Sequence, residues 1–224
     1  MSTDVREDYA VVSEGFLARI RAVPAGAWAN PSPCPGWSAR DVVGHLVNGH
    51  RGFLFLAGGP PPAPADGVGT GPMAGAPPIE PGADLAAAFG RVRDDMLAML
   101  ADPQRTARRL PGGPMGAVPI PQAVSVVGSV EVLVHTWDLA RATGGDETLD
   151  AAQVARVHAA AEPFAAGLLA TGAFDPPVTP PAGADAQTRF LCFVGRRPFL
   201  GDASFLGDAS FLGDAFPWGD ARES

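Results

Sequence analysis

The sequence predicts an all-α protein, a bundle of four long helices with further helical pieces after them. Residues 4–23, 38–56, 84–100 and 121–143 each repeat apolar side chains at spacings of three and four, the signature of a helix with one buried face. No stretch shows the sustained alternation of a half-buried strand. Apolar residues make up 46% of the 224-residue chain, enough to build a core of ordinary domain size.

The first helix carries Val5, Tyr9, Val12, Phe16, Ile20 and Val23 on one side. A Pro-rich connection follows, N-P-S-P-C-P-G-W-S at 30–38, in which Cys34 reads as a small buried group and Trp37 as the anchor of a rigid turn. Ser38 then has the form of an N-cap, with Asp41 three positions on as the returning acid. The helix it opens runs to Leu56, where G-G-P-P-P-A-P stops it. Residues 57–82 are rich in Gly, Pro and Ala and read as a long loop. Asp84 caps a third helix lined by Leu85, Phe89, Val92, Met96 and Leu100. Residues 102–120 hold no sustained period and leave room for a short extended segment. The fourth helix, 121–143, ends at Gly144-Gly145. A fifth helical stretch is expected over 150–170, and a short apolar helix over 187–194.

The end of the chain differs in kind. From Phe199 it reads F-L-G-D-A-S twice, then F-L-G-D-A and F-P-W-G-D-A-R-E-S, with Asp202, Asp208, Asp214 and Asp220 in register at a period of six. Calcium-binding aspartate repeats use a nine-residue, glycine-richer unit. The tail is therefore either an expanded short repeat or an arm whose Phe199, Phe205 and Phe211 contact a partner or a second copy. The expected division is a helical domain over 1–198 and a tail over 199–224.

Composition narrows the function. Sixteen basic against 24 acidic residues give a net charge of −8, with no Lys/Arg cluster to hold nucleic acid. No run approaches the roughly 18 consecutive apolar residues of a membrane span. The acidic N-terminus lacks the apolar core of a signal peptide, and two cysteines are too few for a disulfide framework. A soluble cytoplasmic protein is expected.

The chemistry lies in V-E-V-L-V-H-T-W-D-L-A-R, 130–141. Spacings of four and three put Glu131, His135 and Asp138 within about 40° of one another on a helix. Val124, Val127 and Ala142 share that stripe, so three polar groups stand where apolar ones are normally buried. Burying them without partners costs several kcal/mol, and a divalent metal would satisfy them. Glu131 and His135 form an i,i+4 pair able to chelate one ion. His45, inward or nearly so in D-V-V-G-H-L-V, is the third candidate ligand from a facing helix. Two histidines, a carboxylate and an open position suit catalytic zinc or iron. The competing reading of E-x-x-x-H is a surface ion pair. Asp138 either hydrogen-bonds a ligand imidazole or pairs with Arg141 or Arg40. Trp137 faces the core, while His50 and His158 read as structural or exposed.

The motifs P-S-P-C-P-G-W-S-A-R-D-V-V-G-H-L at 31–46 and E-V-L-V-H-T-W-D-L-A-R-A-T-G at 131–144 resemble the mycothiol-dependent maleylpyruvate isomerase-like metal-binding proteins of the DinB superfamily. The segment at 174–198 is similar to the closing portion of one actinobacterial subgroup, so the resemblance covers roughly residues 5–198. It implies a DinB-like four-helix bundle holding a divalent ion, zinc or nickel, on His45, Glu131 and His135. It further implies activation of a low-molecular-weight thiol, mycothiol, for isomerisation or thiol transfer, with Asp138 orienting a ligand. Arg40, Arg51 and Arg141 are the cations available to grip such a thiol. Two alternatives stand beside this thiol enzyme. One is a thiol-independent metal hydrolase, and the other a non-catalytic metal-stabilised protein whose aromatic tail contacts a partner.

Overall fold

Aspartate and serine caps set where the helices begin. The structure, a computed structural model, describes residues 4–110, 116–172 and 174–199. Helix α1 (Val5–Arg21) starts where the Asp4 carboxylate accepts from Arg6 N. Helix α2 (Ala39–Leu56) starts at a full capping box, with Ser38 and Asp41 each accepting the other's backbone N–H. Helix α3 (Leu85–Ala101) is capped by Asp84, and the single turn α4 (Pro103–Thr106) by Asp102. Then α5 (Ile120–Ala123), a π turn (Val124–Gly128) and α6 (Ser129–Thr143) run on continuously to Gly144, whose left-handed conformation (φ 67°) ends the helix. Helices α7 (Ala151–Ala161), α8 (Ala165–Ala170) and α9 (Ala186–Phe193) follow.

The four long helices close a ring. α1 packs on α3 and α6, and α2 packs on the same two neighbours. This is the all-α, DinB-like bundle the sequence predicts. Tyr9, Phe16, Leu46, Phe89, Met96 and Trp137 fill its centre with 0–1% of their surface exposed. Phe16 and Phe89 meet edge to face at 4.8 Å. The run Ile120–Thr143 is long and apolar enough to cross a membrane by length and composition alone, but most of it is buried in the bundle. Its apolarity is that of a core helix.

Three expectations change. The stretch 150–170 is not one helix: Pro163 offers no N–H, and the chain passes through a 3₁₀ turn (Glu162–Phe164) between α7 and α8. Among the described residues of 102–120 are the helical turn α4 and an isolated bridge, Arg109 to Pro119. The π turn adds a residue upstream of α6 and rotates what precedes it. Val127 is consequently only partly buried while Val126 is 3% exposed. Of the two readings of His50, the structural one holds: it is buried, its Nδ1–H donating to Leu46 O at 2.8 Å. The repeat tail from residue 200 onward lies outside the described residues; Phe199, its first residue, is exposed.

Candidate metal centre

The turn S-P-C-P-G-W, the face of α2 and the face of α6 meet at one point. His45 comes from α2, and Glu131 and His135 come from α6, which packs against it. His45 Nε2 lies 3.9 Å from Glu131 Oε2. The His45 and His135 rings stand edge to face with centroids 5.1 Å apart. Trp37 walls the group, its ring 4.7 Å from that of His45 and 6.3 Å from that of His135. A tetrahedral zinc ion with ligand bonds near 2.1 Å needs donors about 3.4 Å apart. The side chains are within roughly half an ångström of that separation at the His45–Glu131 edge.

Hydrogen bonding selects which nitrogens are free. His45 Nδ1 lies 3.3 Å from Gly75 O, and a carbonyl oxygen only accepts, so Nδ1 carries the proton. His135 Nδ1 lies 2.9 Å from Asp138 Oδ2 and donates to it. Each ring therefore keeps its lone pair on Nε2, the arrangement in which an outer partner fixes a ligating imidazole. Burial, reinforced by the neighbouring His135, holds the His45 pKa down to about 3, so the ring is neutral at pH 7. Burial lowers His135 as well. Burial pushes the Glu131 carboxyl up to about 7. Among the described residues no lysine or arginine pairs with that carboxylate. Two neutral imidazoles and a carboxylate lacking a cation are donor types that suit a divalent ion, which would be held by His45, Glu131 and His135. The donor atoms of the three do not all lie within 4.8 Å of one another, and the His135 ring would have to close in on the other two.

Behind His135 lies a second cluster that the sequence did not reveal. Asp138 is fully buried, and Arg196 Nε and Nη2 donate to its two oxygens at 2.9 and 2.8 Å. The guanidinium, not Arg40 or Arg141, is its ion-pair partner, and it holds the Asp138 carboxyl far below the usual range. Cys34 Sγ sits 3.5 Å from Asp138 Oδ2 and 3.3 Å from Arg196 Nη2. Cys34, His135 and Asp138 thus offer donor atoms within 4.8 Å of one another, a set that could also hold an ion. Arg196 already supplies positive charge there, and burial followed by the Asp138 charge pushes the Cys34 thiol up, so it stays protonated. Cys192 is buried and free elsewhere.

The loop over the centre is braced by α2. Asn48 Nδ2 donates to Gly71 O and Pro72 O at 3.1 and 2.9 Å, and Gly71 N donates to Asn48 Oδ1 at 3.1 Å. A Cβ on Gly52 would lie 2.6 Å from Met73 Cγ, so a larger residue there would have to push the Met73 side chain aside. Arg51 donates to Ala65 O and Val68 O at 3.0 Å, and Arg40 donates to Glu80 O. Arg141 lies over Trp137, 4.7 Å from its ring, and pairs with Glu147 at 3.0 Å. Of the three expected cofactor-gripping arginines, Arg40 and Arg51 thus hold the covering loop, and Arg141 stacks on Trp137.

The sequence profile of the mycothiol maleylpyruvate isomerase N-terminal domain matches residues 10–140, more than half of the chain. The chain belongs to that family. The match includes the turn with Cys34 and Trp37 and all three candidate ligands, and it stops before Arg196. The uncharacterized protein Rv0738 of Mycobacterium tuberculosis is 30% identical over 139 residues, 61% of this chain and 66% of that protein. The uncharacterized protein Rv0036c of the same organism is 28% identical over 150 residues, 61% of this chain and 55% of that protein. The chain thus spans less than two thirds of either relative. No solved structure matches it significantly.

Proposed function

We propose that this family member holds a divalent metal ion, zinc by ligand preference, on His45, Glu131 and His135, and uses it to activate a low-molecular-weight thiol. The observation that carries the reading is the convergence of His45 and Glu131, 3.9 Å apart and on different helices, beside the neutral His135 ring. Family membership supports the thiol, mycothiol, and a small electrophilic substrate for isomerisation or transfer. A bound divalent ion lowers the pKa of a thiol at its open position, which supplies the nucleophile at neutral pH.

The chain's own residues do the rest. Asp138 keeps the His135 proton on Nδ1, and Gly75 O does the same for His45. Trp37 and the loop at 71–75 exclude bulk water from the rings. Arg40 and Arg51, which hold that loop, are our candidates for meeting the polar groups of the thiol. Cys34 is not the nucleophile in this reading, because its thiol is buried and protonated.

Zinc titration of the apoprotein followed by mycothiol binding tests the reading. Thiol binding only after metal loading supports it, and thiol binding of equal strength to the apoprotein contradicts it.

A further inference from the structure

Beyond the region matched by the family, the last described turn enters the site from behind. After α9 ends at Phe193, Gly195 turns the backbone at φ +82°. A Cβ there would lie 2.5 Å from Asp175 Cβ and 2.9 Å from Asp175 O, so this turn accepts only glycine. Gly195 N donates to Cys192 O at 3.1 Å and Arg196 N to Leu191 O at 2.8 Å, which aims the Arg196 side chain back at α6. Its side chain is 11% exposed, and its guanidinium makes the two-pronged bond to Asp138 described above.

We propose that Arg196 is a positioning residue for the His135 imidazole, acting through the Asp138 carboxylate. The inference rests on the reading of His135 as a metal ligand. A carboxylate's terminal torsion is broad and does not hold itself in place. The planar fork of an arginine does hold it, because two parallel N–H···O bonds fix both oxygens at once. Asp138 Oδ2, so fixed, receives the His135 Nδ1 proton, and that bond sets the plane of the ring and leaves the lone pair on Nε2. Two links, Arg196 to Asp138 and Asp138 to His135, thereby tie the chain's C-terminal segment to the metal centre.

The test uses the full chain, labelled with ¹⁵N at histidine, and zinc alone as the ligand. Wild type should show His135 protonated on Nδ1 in the apoprotein. Arg196→Met should mix the tautomers and weaken zinc binding by about 10- to 100-fold, the usual effect of losing an outer-shell partner. Arg196→Lys should recover part of that loss. In an Asp138→Asn background, Arg196→Met should have no further effect on zinc affinity. A wild-type His135 protonated on Nε2 overturns the proposal, as does an Arg196→Met variant with unchanged tautomer and affinity. Equal losses in both backgrounds also overturn it, because Arg196 would then not act through Asp138. If Arg196→Met does not fold, the wild-type tautomer and the Lys variant decide. Failure of wild type to bind zinc would defeat the metal reading, while the tautomer pattern would still judge the positioning role.

Discussion

His45 Nε2 and Glu131 Oε2 stand 3.9 Å apart although 86 residues separate them, and each belongs to a different wall of the bundle. The packing of α2 on α6 sets that distance. Burial keeps His45 neutral and raises Glu131 to about 7, so both atoms are poised to accept a cation rather than to pair with each other.

Metal affinity should follow the Glu131 proton. Below pH 7 the apoprotein carboxyl is protonated and must release its proton to coordinate. Apparent zinc affinity should therefore fall by up to about tenfold per pH unit below pH 7 and level off above it. Isothermal titration at pH 6, 7 and 8 measures this, and Glu131→Gln should abolish both the affinity and its slope in that range.

His50 should make the apoprotein sensitive to acid. Burial holds its pKa to about 4, against an unfolded value near 6.5. Between those values the unfolded chain binds the proton more readily. This contribution is complete above pH 6.5 and is lost as pH falls toward 4, by up to about 3 kcal/mol. His45 acts in the same direction and Glu131 opposes it, so the comparison needs a variant. Urea unfolding at pH 7 and 4.5 should show a smaller acid loss in His50→Phe than in wild type.

Ser38 should matter for the fold. Its hydroxyl accepts from Asp41 N at 3.3 Å, and Asp41 Oδ2 accepts from Ser38 N at 2.9 Å. Ser38→Ala should cost about 1 kcal/mol of stability by chemical denaturation, with zinc stoichiometry unchanged.

Asn48 should control access to the centre. Its three bonds to Gly71 and Pro72 hold the part of the covering loop that leads to Gly75, the partner of His45. Each is worth about 1 kcal/mol net. Asn48→Ala should speed extraction of zinc by a chelator by about tenfold or more, and an unchanged rate would show that the loop is held by other contacts.

These features differ in how far the sequence disclosed them. Glu131 and His135 are four residues apart on one helix, so their convergence follows from helical period alone. His45 joined them because the apolar stripe of α2 carries it to the core edge. Arg196 could not be read in this way. It reaches Asp138 across 58 residues, by way of a turn whose direction depends on Gly195 and on the packing of α9. The only local signal was the glycine in F-V-G-R-R-P. The π turn at Val124–Gly128 was equally hidden, because a regular 3.6-residue count carries the stripe straight through it. The bracing roles of Arg40 and Arg51 depend on where the 57–82 loop folds back, which its Gly/Pro composition does not specify.

The central claim is that His45, Glu131 and His135 hold the metal, and elemental analysis of four purified proteins tests it most directly. Wild type and Cys34→Ser should each carry about one equivalent of a divalent transition metal, and His45→Ala and His135→Ala should carry none. Metal retained in His45→Ala but lost in Cys34→Ser would place the ion on Cys34, His135 and Asp138 and contradict the account. So would a folded wild-type protein that takes up no metal after incubation with zinc.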